Sequence, residues 1–518
     1  MRDTLRNRMG WLHEWVGFIG GLVLVVIFTG GSLALFDTEL TRWMQPELSH
    51  YTTGPMTDDA LNQVGTIAGE LRDAGQNAFI TLPTPRDPII RILHYDGHVF
   101  IGAAFRPADA FPIATRQTGG GQLFFDLHHS LYYGPFWGNM LTEIAAVGLL
   151  VAVGSGIIIH FRSIFSDLLL FRPFASKGRA FMDAHILAGL LFLPFMVMMA
   201  YTGAVIHAPR LFPMFSTGHH GRPSDGTATH GHTGAKIPTD RIAAQTSPHP
   251  FATRSAMTSG PADTTASPGP VRAALAPMFH KAEEAFGDGS IGLVLFDHGK
   301  VSMTKADSAS FILSRDHLEF SEQDGTLLRT VKTPDTLHRL GGVLRGLHFI
   351  RWAPLPLRWL YFISGLVGSA MMSAGLVIFL MKHRPRKAKT FGFRLAETLA
   401  IAVTTGLPLA CLAYLWANRL IWADLPDRSH LEIRLFFAVW LLTLLHAAGR
   451  SFTGGARSAW NEQFFLFAVF STALLPLDLL SRHMNNLLTS LDVYKGVDLT
   501  ILGLGLIAFI IHRRLISP

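Results

Sequence analysis

Four histidines recur in two matched settings. His13 is followed four residues later by Gly17 and then by Thr29-Gly30; His185 is followed four residues later by Gly189 and then by Thr202-Gly203. Downstream of each, a Leu-His pair, Leu127-His128 or Leu347-His348, precedes a further long apolar run. Imidazole exchanges protons near neutral pH and is the commonest metal ligand. The chain holds 24 His but a single Cys, Cys411. Structural disulfides, Cys-ligated iron–sulfur clusters, CxxC redox pairs and covalent CxxCH haem attachment all need more thiols than this. Any redox chemistry therefore falls to the histidines.

One such histidine alone reads as a hydrogen-bonded residue at a helix end. Their joint placement says more. His13 and His185 stand at the starts of the first and third apolar runs, and His128 and His348 at the starts of the second and fourth, which makes two layers of two. A b-type haem held by two imidazoles needs one His from each of two facing helices at the same depth. Pairing within a layer meets that need; pairing across layers does not. At a rise of about 1.5 Å per residue the layers are expected roughly 30 Å apart, so two haems b would carry electrons across a membrane. His129 competes with His128 as a ligand. His160 and His207, at the opposite ends of the second and third runs, are interfacial residues first and alternative ligands second. Gly17, Gly20, Gly21, Gly154, Gly156 and Gly189 would admit either a flat macrocycle or a closely packed neighbouring helix.

The elements that must position these residues follow from composition. Of 518 residues 49% are hydrophobic and 16% charged, where soluble domains carry about 25% charged residues. Val16 to Phe36 is long enough to span a hydrocarbon core, which takes about 20 helical residues, and is too long for a signal-peptide core. Further runs near 139–160, 183–206, 358–381, 396–417, 431–449, 462–480 and 498–512 predict about eight transmembrane helices, a mainly α polytopic fold. Every even-numbered exit is basic: Arg162, Arg172, Lys177 and Arg179; Lys382 to Arg394; Arg450 and Arg457; Arg513 and Arg514. The net charge of +7 is thus an orientation signal for a lipid bilayer, with both termini cytoplasmic, and not a nucleic-acid footprint.

The predicted organisation is a first helix within 1–36, an outer segment 37–138, two helices in 139–206, a second outer segment 207–357, a fourth helix 358–381 and four more in 396–512. Each outer segment carries a small α+β signal. Ile89 to Phe100 predicts two short strands around Asp96-Gly97, and Ser310 to Leu328 does the same with turns at Arg315-Asp316 and Asp324-Gly325. Amphipathic helical patterns precede them at 57–74 and 270–286, and the second module extends over 270–340. Residues 216–269, rich in Gly, Ser, Thr, Pro and His, read as a flexible insertion. Its His219, His220, His230, His232 and His249 read as part of a linker before a metal site.

At WLHEWVGFIGG (11–21), LHHSLYYGPFWGNML (127–141), DAHILAGLLFLPFMVMMAYTG (183–203) and LRGLHFIRW (344–352) the chain resembles the PepSY-associated transmembrane-helix family of bacterial inner-membrane proteins. Members of that family include iron-regulated proteins and di-haem ferric-siderophore reductases, and the resemblance covers roughly 5–385. It implies a multi-pass protein of the bacterial inner membrane with PepSY-like modules outside. It also implies passage of electrons through membrane b-haems to a ferric siderophore or other ferric chelate in the periplasm, releasing Fe(II) for uptake. Carried over by position, His13 and His185 resemble one ligand pair and His128 and His348 the other. Ile186 departs from the basic residue the family often has there.

No nucleotide-binding GxGxxG follows a strand, so electrons are expected from the quinol pool or from a membrane or cytoplasmic donor. Arg345, Arg351, Trp352, Trp137, Tyr132 and Tyr133 would meet an anionic or planar chelate, or form an interfacial anchoring belt. Two other functions fit the same sequence: a transporter or accessory permease for iron or its chelate, and a non-catalytic PepSY protein that binds a periplasmic partner. Few carboxylates inside the spans speak against an ion-coupled carrier.

Overall fold

The structure, a computed structural model, describes residues 5–52, 54–97, 99–134, 136–161, 172, 176–211, 272–333, 336–481 and 493–516. The insertion 216–269 lies outside them. Among the described residues seven helices are long and apolar enough to cross a membrane: α1 (Leu5–Ala34), α5 (Trp137–His160), α10 (Leu355–Lys387), α11 (Phe391–Leu420), α12 (Arg428–Phe452), α13 (Ala456–Ser481) and α14 (Val493–Ile516). The third predicted span differs. It is two helices, α6 (Lys177–Leu191) and α7 (Leu193–Leu211), bent by 67° around Phe192. Pro194 explains the break, since it has no N–H to donate and its ring crowds the carbonyl one turn back.

The α1 helix is apolar on all sides through its span, and one side of it packs on other helices while Ile19 stays exposed. Phe18, Leu24, Val25, Ile27 and Phe28 are buried against Ala145 and Leu149 of α5, Met196 and Ala200 of α7, and Met372, Leu376 and Phe379 of α10. Between α1 and α5 the chain leaves the bundle through α2 (Asp37–Trp43) and α3 (Asp58–Asp73) and returns through the short α4 (Gln122–Ser130). Between α7 and α10 it returns through α9 (Thr336–Phe349). The two returns correspond. Each short helix carries one Leu-His pair and packs on the helix that begins its own repeat, α4 on α1 and α9 on α7.

The two α+β segments do not stand apart. Strands β1 (Phe79–Thr81), β2 (Ile90–Tyr95), β3 (Phe100–Phe105) and β4 (Pro112–Ile113) join β5 (Ile291–Asp297), β6 (Lys300–Lys305), β7 (His317–Ser321) and β8 (Leu327–Val331) in one antiparallel sheet of order β4-β3-β2-β1-β5-β6-β7-β8. The halves meet at the centre, where Ile80 pairs with Val294 and Thr81 with Leu293. Helix α3 and α8 (Leu275–Phe286) cover the sheet, burying Leu61, Val64, Met278 and Phe279 against Ile80, Ile92, Val294 and Met303. Each half buries too little alone; the shared core joins them.

The hairpin expected around Asp96-Gly97 is β2–β3. The turn expected at Asp324-Gly325 joins β7 to β8; Ser310 to Asp316 is not a strand, and the other neighbour of β7 is β6, reached from β5 through the tight turn His298-Gly299. The run IGLVLFD forms β5 between the turns Asp288-Gly289 and His298-Gly299.

A buried ion network anchors the sheet to the bundle. Arg86, in the β1–β2 connection, donates through Nε and Nη2 to Glu39 (3.0 and 2.6 Å) and through Nη2 to Asp37 (3.1 Å). Arg358 of α10 completes Glu39 at 2.6 Å, and Arg351 reaches Asp37 at 2.9 Å. Burial alone would push the Asp37 carboxyl up, but Arg351 and Arg86 outweigh it and hold it below the usual range.

Candidate functional site

All four repeat histidines use Nδ1 in the same way. His13 Nδ1 lies 2.8 Å from the Ala152 carbonyl of α5, His185 Nδ1 2.8 Å from the Met371 carbonyl of α10, and His128 Nδ1 2.9 Å from the Ile27 carbonyl of α1. A carbonyl only accepts, so Nδ1 carries the proton in each. His348 Nδ1 lies 2.8 Å from Thr202 Oγ1. Because the Thr202 hydroxyl gives its own proton to the Met198 carbonyl at 2.7 Å, it too accepts from the imidazole. In all four rings the lone pair is left on Nε2, the arrangement a metal-binding imidazole requires.

Glycine lies beneath every ring. A Cβ on Gly156 would come within 3.2 Å of His13, on Gly375 within 3.2 Å of His185, on Gly31 within 2.5 Å of His128 and on Gly203 within 3.4 Å of His348. In three of the four the glycine follows the accepting carbonyl by four residues, one helical turn, so acceptor and glycine line one face. Of the glycines expected at the site only Gly156 touches a ring. Gly21 packs on Leu376, Gly189 on Met371 and Gly20 on Leu24, while Gly17 and Gly154 face open space. Gly31, Gly203 and Gly375 were missed. The signal was present: counted from His13 and His185, Gly31 and Gly203 both fall 18 residues on, so the repeat aligns without a gap. Thr29 and Thr202 are not equivalent, for Thr29 bonds Ser369 at 2.9 Å.

The rings meet in the pairs expected from the layers. His13 and His185 have ring centres 6.2 Å apart and planes at 77°. His128 and His348 have ring centres 5.7 Å apart, with Nε2 facing Nε2 at 3.4 Å. With both Nδ1 protons committed, two acceptor nitrogens confront each other, a repulsive contact that a cation between them would turn into an attractive one. A metal–imidazole bond is about 2 Å, so axial ligands of one iron have Nε2 atoms about 4 Å and ring centres about 6 Å apart. The ring centres of the pair distant from the sheet have that separation; the sheet-side pair needs to open by about half an ångström.

The depth separation is smaller than expected. Ile27, which anchors His128, is 14 residues from His13 along α1, about 21 Å at 1.5 Å per residue and not 30 Å. The reason is that α4 and α9 dip into the bundle, carrying their histidines below the span ends.

The sheet-side pair lines a cleft walled by Leu24, Phe28, Leu149, Phe195, Met199 and Tyr361 and bordered by Arg351. His129 also lines it, but its Nδ1 is on the Phe125 carbonyl at 3.1 Å and it does not face His348 as His128 does. His160 lies close enough to His13 and His185 to interact with both electrostatically. The side chain of His207 lies outside the described residues. Trp352 donates to the Gly346 carbonyl at 3.0 Å, Tyr132 packs on Phe437, and Tyr133 and Trp137 are exposed. Arg345, one turn before His348, is half-buried, and burial together with Arg315 lowers its hold on its proton. Among the described residues no group of three or more His, Cys, Asp or Glu is placed to hold a metal ion.

Apolar spans, a repeated helix pair and a sheet shared between two connections define a polytopic membrane protein with a PepSY-like α+β part. The chain belongs to the PepSY-associated TM region family, which matches residues 10–382. No curated protein matches it. The family match ends in the last turns of α10, so α11 to α14 lie beyond it.

Proposed function

We propose that the protein is a b-haem electron carrier of the bacterial inner membrane that reduces a ferric siderophore or another ferric chelate on the periplasmic side, releasing Fe(II) for uptake. The observation that carries this reading is the confrontation of His128 and His348, Nε2 to Nε2 at 3.4 Å, with both Nδ1 protons held elsewhere. On the far side His13 and His185 also meet, with ring centres 6.2 Å apart. His13 and His185 would hold one haem and His128 and His348 the other; bound there, each would supply a one-electron Fe(III)/Fe(II) couple.

The chain's own groups supply the rest. The four Nδ1 hydrogen bonds fix the tautomer and orient each ring before any metal arrives, which lowers the cost of binding. The glycines leave room beside the rings. Arg351 puts a cation on the cleft border, where a propionate would be met. Arg345 and Arg315 add positive charge toward the sheet side and favour an anionic chelate. Electrons enter at the far side from quinol or a cytoplasmic donor, consistent with termini on the cytoplasmic face.

The test is an absorption spectrum of the purified protein before and after dithionite. Sharp reduced b-type bands with about two haems per chain are expected, and a folded, colourless protein would refute the proposal. Changing His13, His185, His128 or His348 singly to Ala should remove one haem of the two, the same one for either member of a pair.

A further inference from the structure

The four spans beyond the family match hold the two histidine pairs unequally. The segment that launches α4, Arg116 to Gly121, bonds to Gln45, Glu47, Gly102 and Thr41 on one side and to α11 and α12 on the other. Arg428 donates to the Gln117 carbonyl at 2.7 Å and Thr118 to Glu432 at 2.6 Å, while the Gly119 N–H reaches the same carboxylate at 3.3 Å. Tyr414 donates to the Gly120 carbonyl at 3.0 Å, and Arg116 to the Asn418 carbonyl at 2.9 Å. Glu432 is itself held by Asn418 at 2.7 Å and paired with Arg428, all fully buried. Next along the chain, Leu123, Phe124 and Leu127 enter the same core as Leu407, Tyr414, Leu415 and Phe436.

The opposite face of α4 lies on α1. A Cβ at Gly30 would meet the Phe124 carbonyl at 2.9 Å, and one at Gly121 would strike the Asp37 backbone. The helix is thus wedged between α1 and the C-terminal bundle, with His128 at its end. The far-side pair is held differently: the groups that bond His13 and His185 come from α5 and α10, and α11 packs there through Phe393 and Ala400, in one core with Phe18, Leu376 and Phe379.

We propose that α11 to α14 are a clamp that positions His128, with Tyr414 and Glu432 as its positioning residues, so that these two residues set the properties of the sheet-side centre and leave the far-side centre untouched. A buried pair such as Arg428–Glu432 contributes little net stability but holds its partners in one arrangement, which suits such a role. The redox consequence rests on the function proposed above; the mechanical one does not.

The experiment compares full-length protein with Tyr414→Phe and Glu432→Gln. Amide exchange of residues 122–130 should quicken about fivefold in Tyr414→Phe, the factor that loss of a hydrogen bond of about 1 kcal/mol gives, and by more in Glu432→Gln. Residues 10–20 of α1 should exchange at the unaltered rate. In the same proteins the potential of the sheet-side haem should shift while that of the far-side haem stays. Unchanged exchange in α4, or equal changes in both layers, overturns the clamp. Selective loosening of α4 in a protein that binds no haem sustains the clamp and refutes the cofactor reading.

Discussion

A histidine binds metal well when its second nitrogen is already committed, and Thr202 shows how narrow the means can be. Three of the four imidazoles rest on a backbone carbonyl, which no substitution removes; His348 alone depends on a side chain. Thr202→Val keeps the shape and deletes the acceptor. Haem affinity at the sheet-side pair should fall about 10–100-fold, as for other groups that orient metal-bound histidines, with the far-side haem unchanged in a haem titration. Gly31→Ala acts more directly, because its Cβ would lie 2.5 Å from His128 Nδ1. It should leave one haem per chain, whereas Gly17→Ala, with nothing within 4 Å, should leave both. Loss of haem in Gly17→Ala would mean that the rings are not seated as described.

At the scale of elements, α4 carries an acid, Asp126, whose side chain is only 14% exposed. Burial pushes the Asp126 carboxyl up to about 7, against the Gln122 amide that donates to it at 3.0 Å and pulls the other way. The unfolded value is about 3.9, so folding favours the protonated acid. That contribution is fully present below about pH 4, declines as pH rises toward 7, and is gone above it. It amounts to a few kcal/mol at about 1.4 kcal/mol per pH unit. Asp126→Asn should therefore melt with a flatter pH dependence between pH 4 and 7.5 than the parent protein. Parallel melting curves would show that Asp126 is solvated. The sequence shows α4 only as nine residues ending in Leu-His. Its seat was encoded in Gly119-Gly120-Gly121, where Cβ atoms would collide with Tyr414, Thr41 and the Asp37 backbone, but three glycines alone read as an ordinary turn.

The whole molecule depends on the joint between sheet and bundle. Arg86, Glu39, Asp37, Arg351 and Arg358 come from three distant parts of the chain and meet with little exposure, 14% and 11% for the Arg86 and Glu39 side chains. Removing one partner of a buried ion pair strands the others, at a cost of about 3–5 kcal/mol. Arg86→Ala should lower the thermal midpoint accordingly and open the connections 35–50 and 83–89 to protease, while the sheet itself stays folded. Protection equal to the parent protein in those connections would show that the sheet is held by packing alone.

Much of this architecture was legible in the sequence. Apolar runs of about 20 residues marked the spans, and the repeat placed four histidines in two layers and predicted which would meet. Those features are local or periodic, and a helix turns periodicity into position without further information. The break at Phe192, the shared sheet, the dipping of α4 and α9 and the grip of α11 to α14 on His128 were not legible. Each depends on which surfaces meet across long stretches of chain, as when Thr81 pairs with Leu293 or Tyr414 reaches Gly120. By itself the sequence determined the spans, the layers and which histidines would face one another. Only the tertiary structure decided how deep the histidines sit, which glycines lie beneath them and which helices hold them, because side-chain packing and buried hydrogen bonds select one arrangement among many that share the same hydropathy.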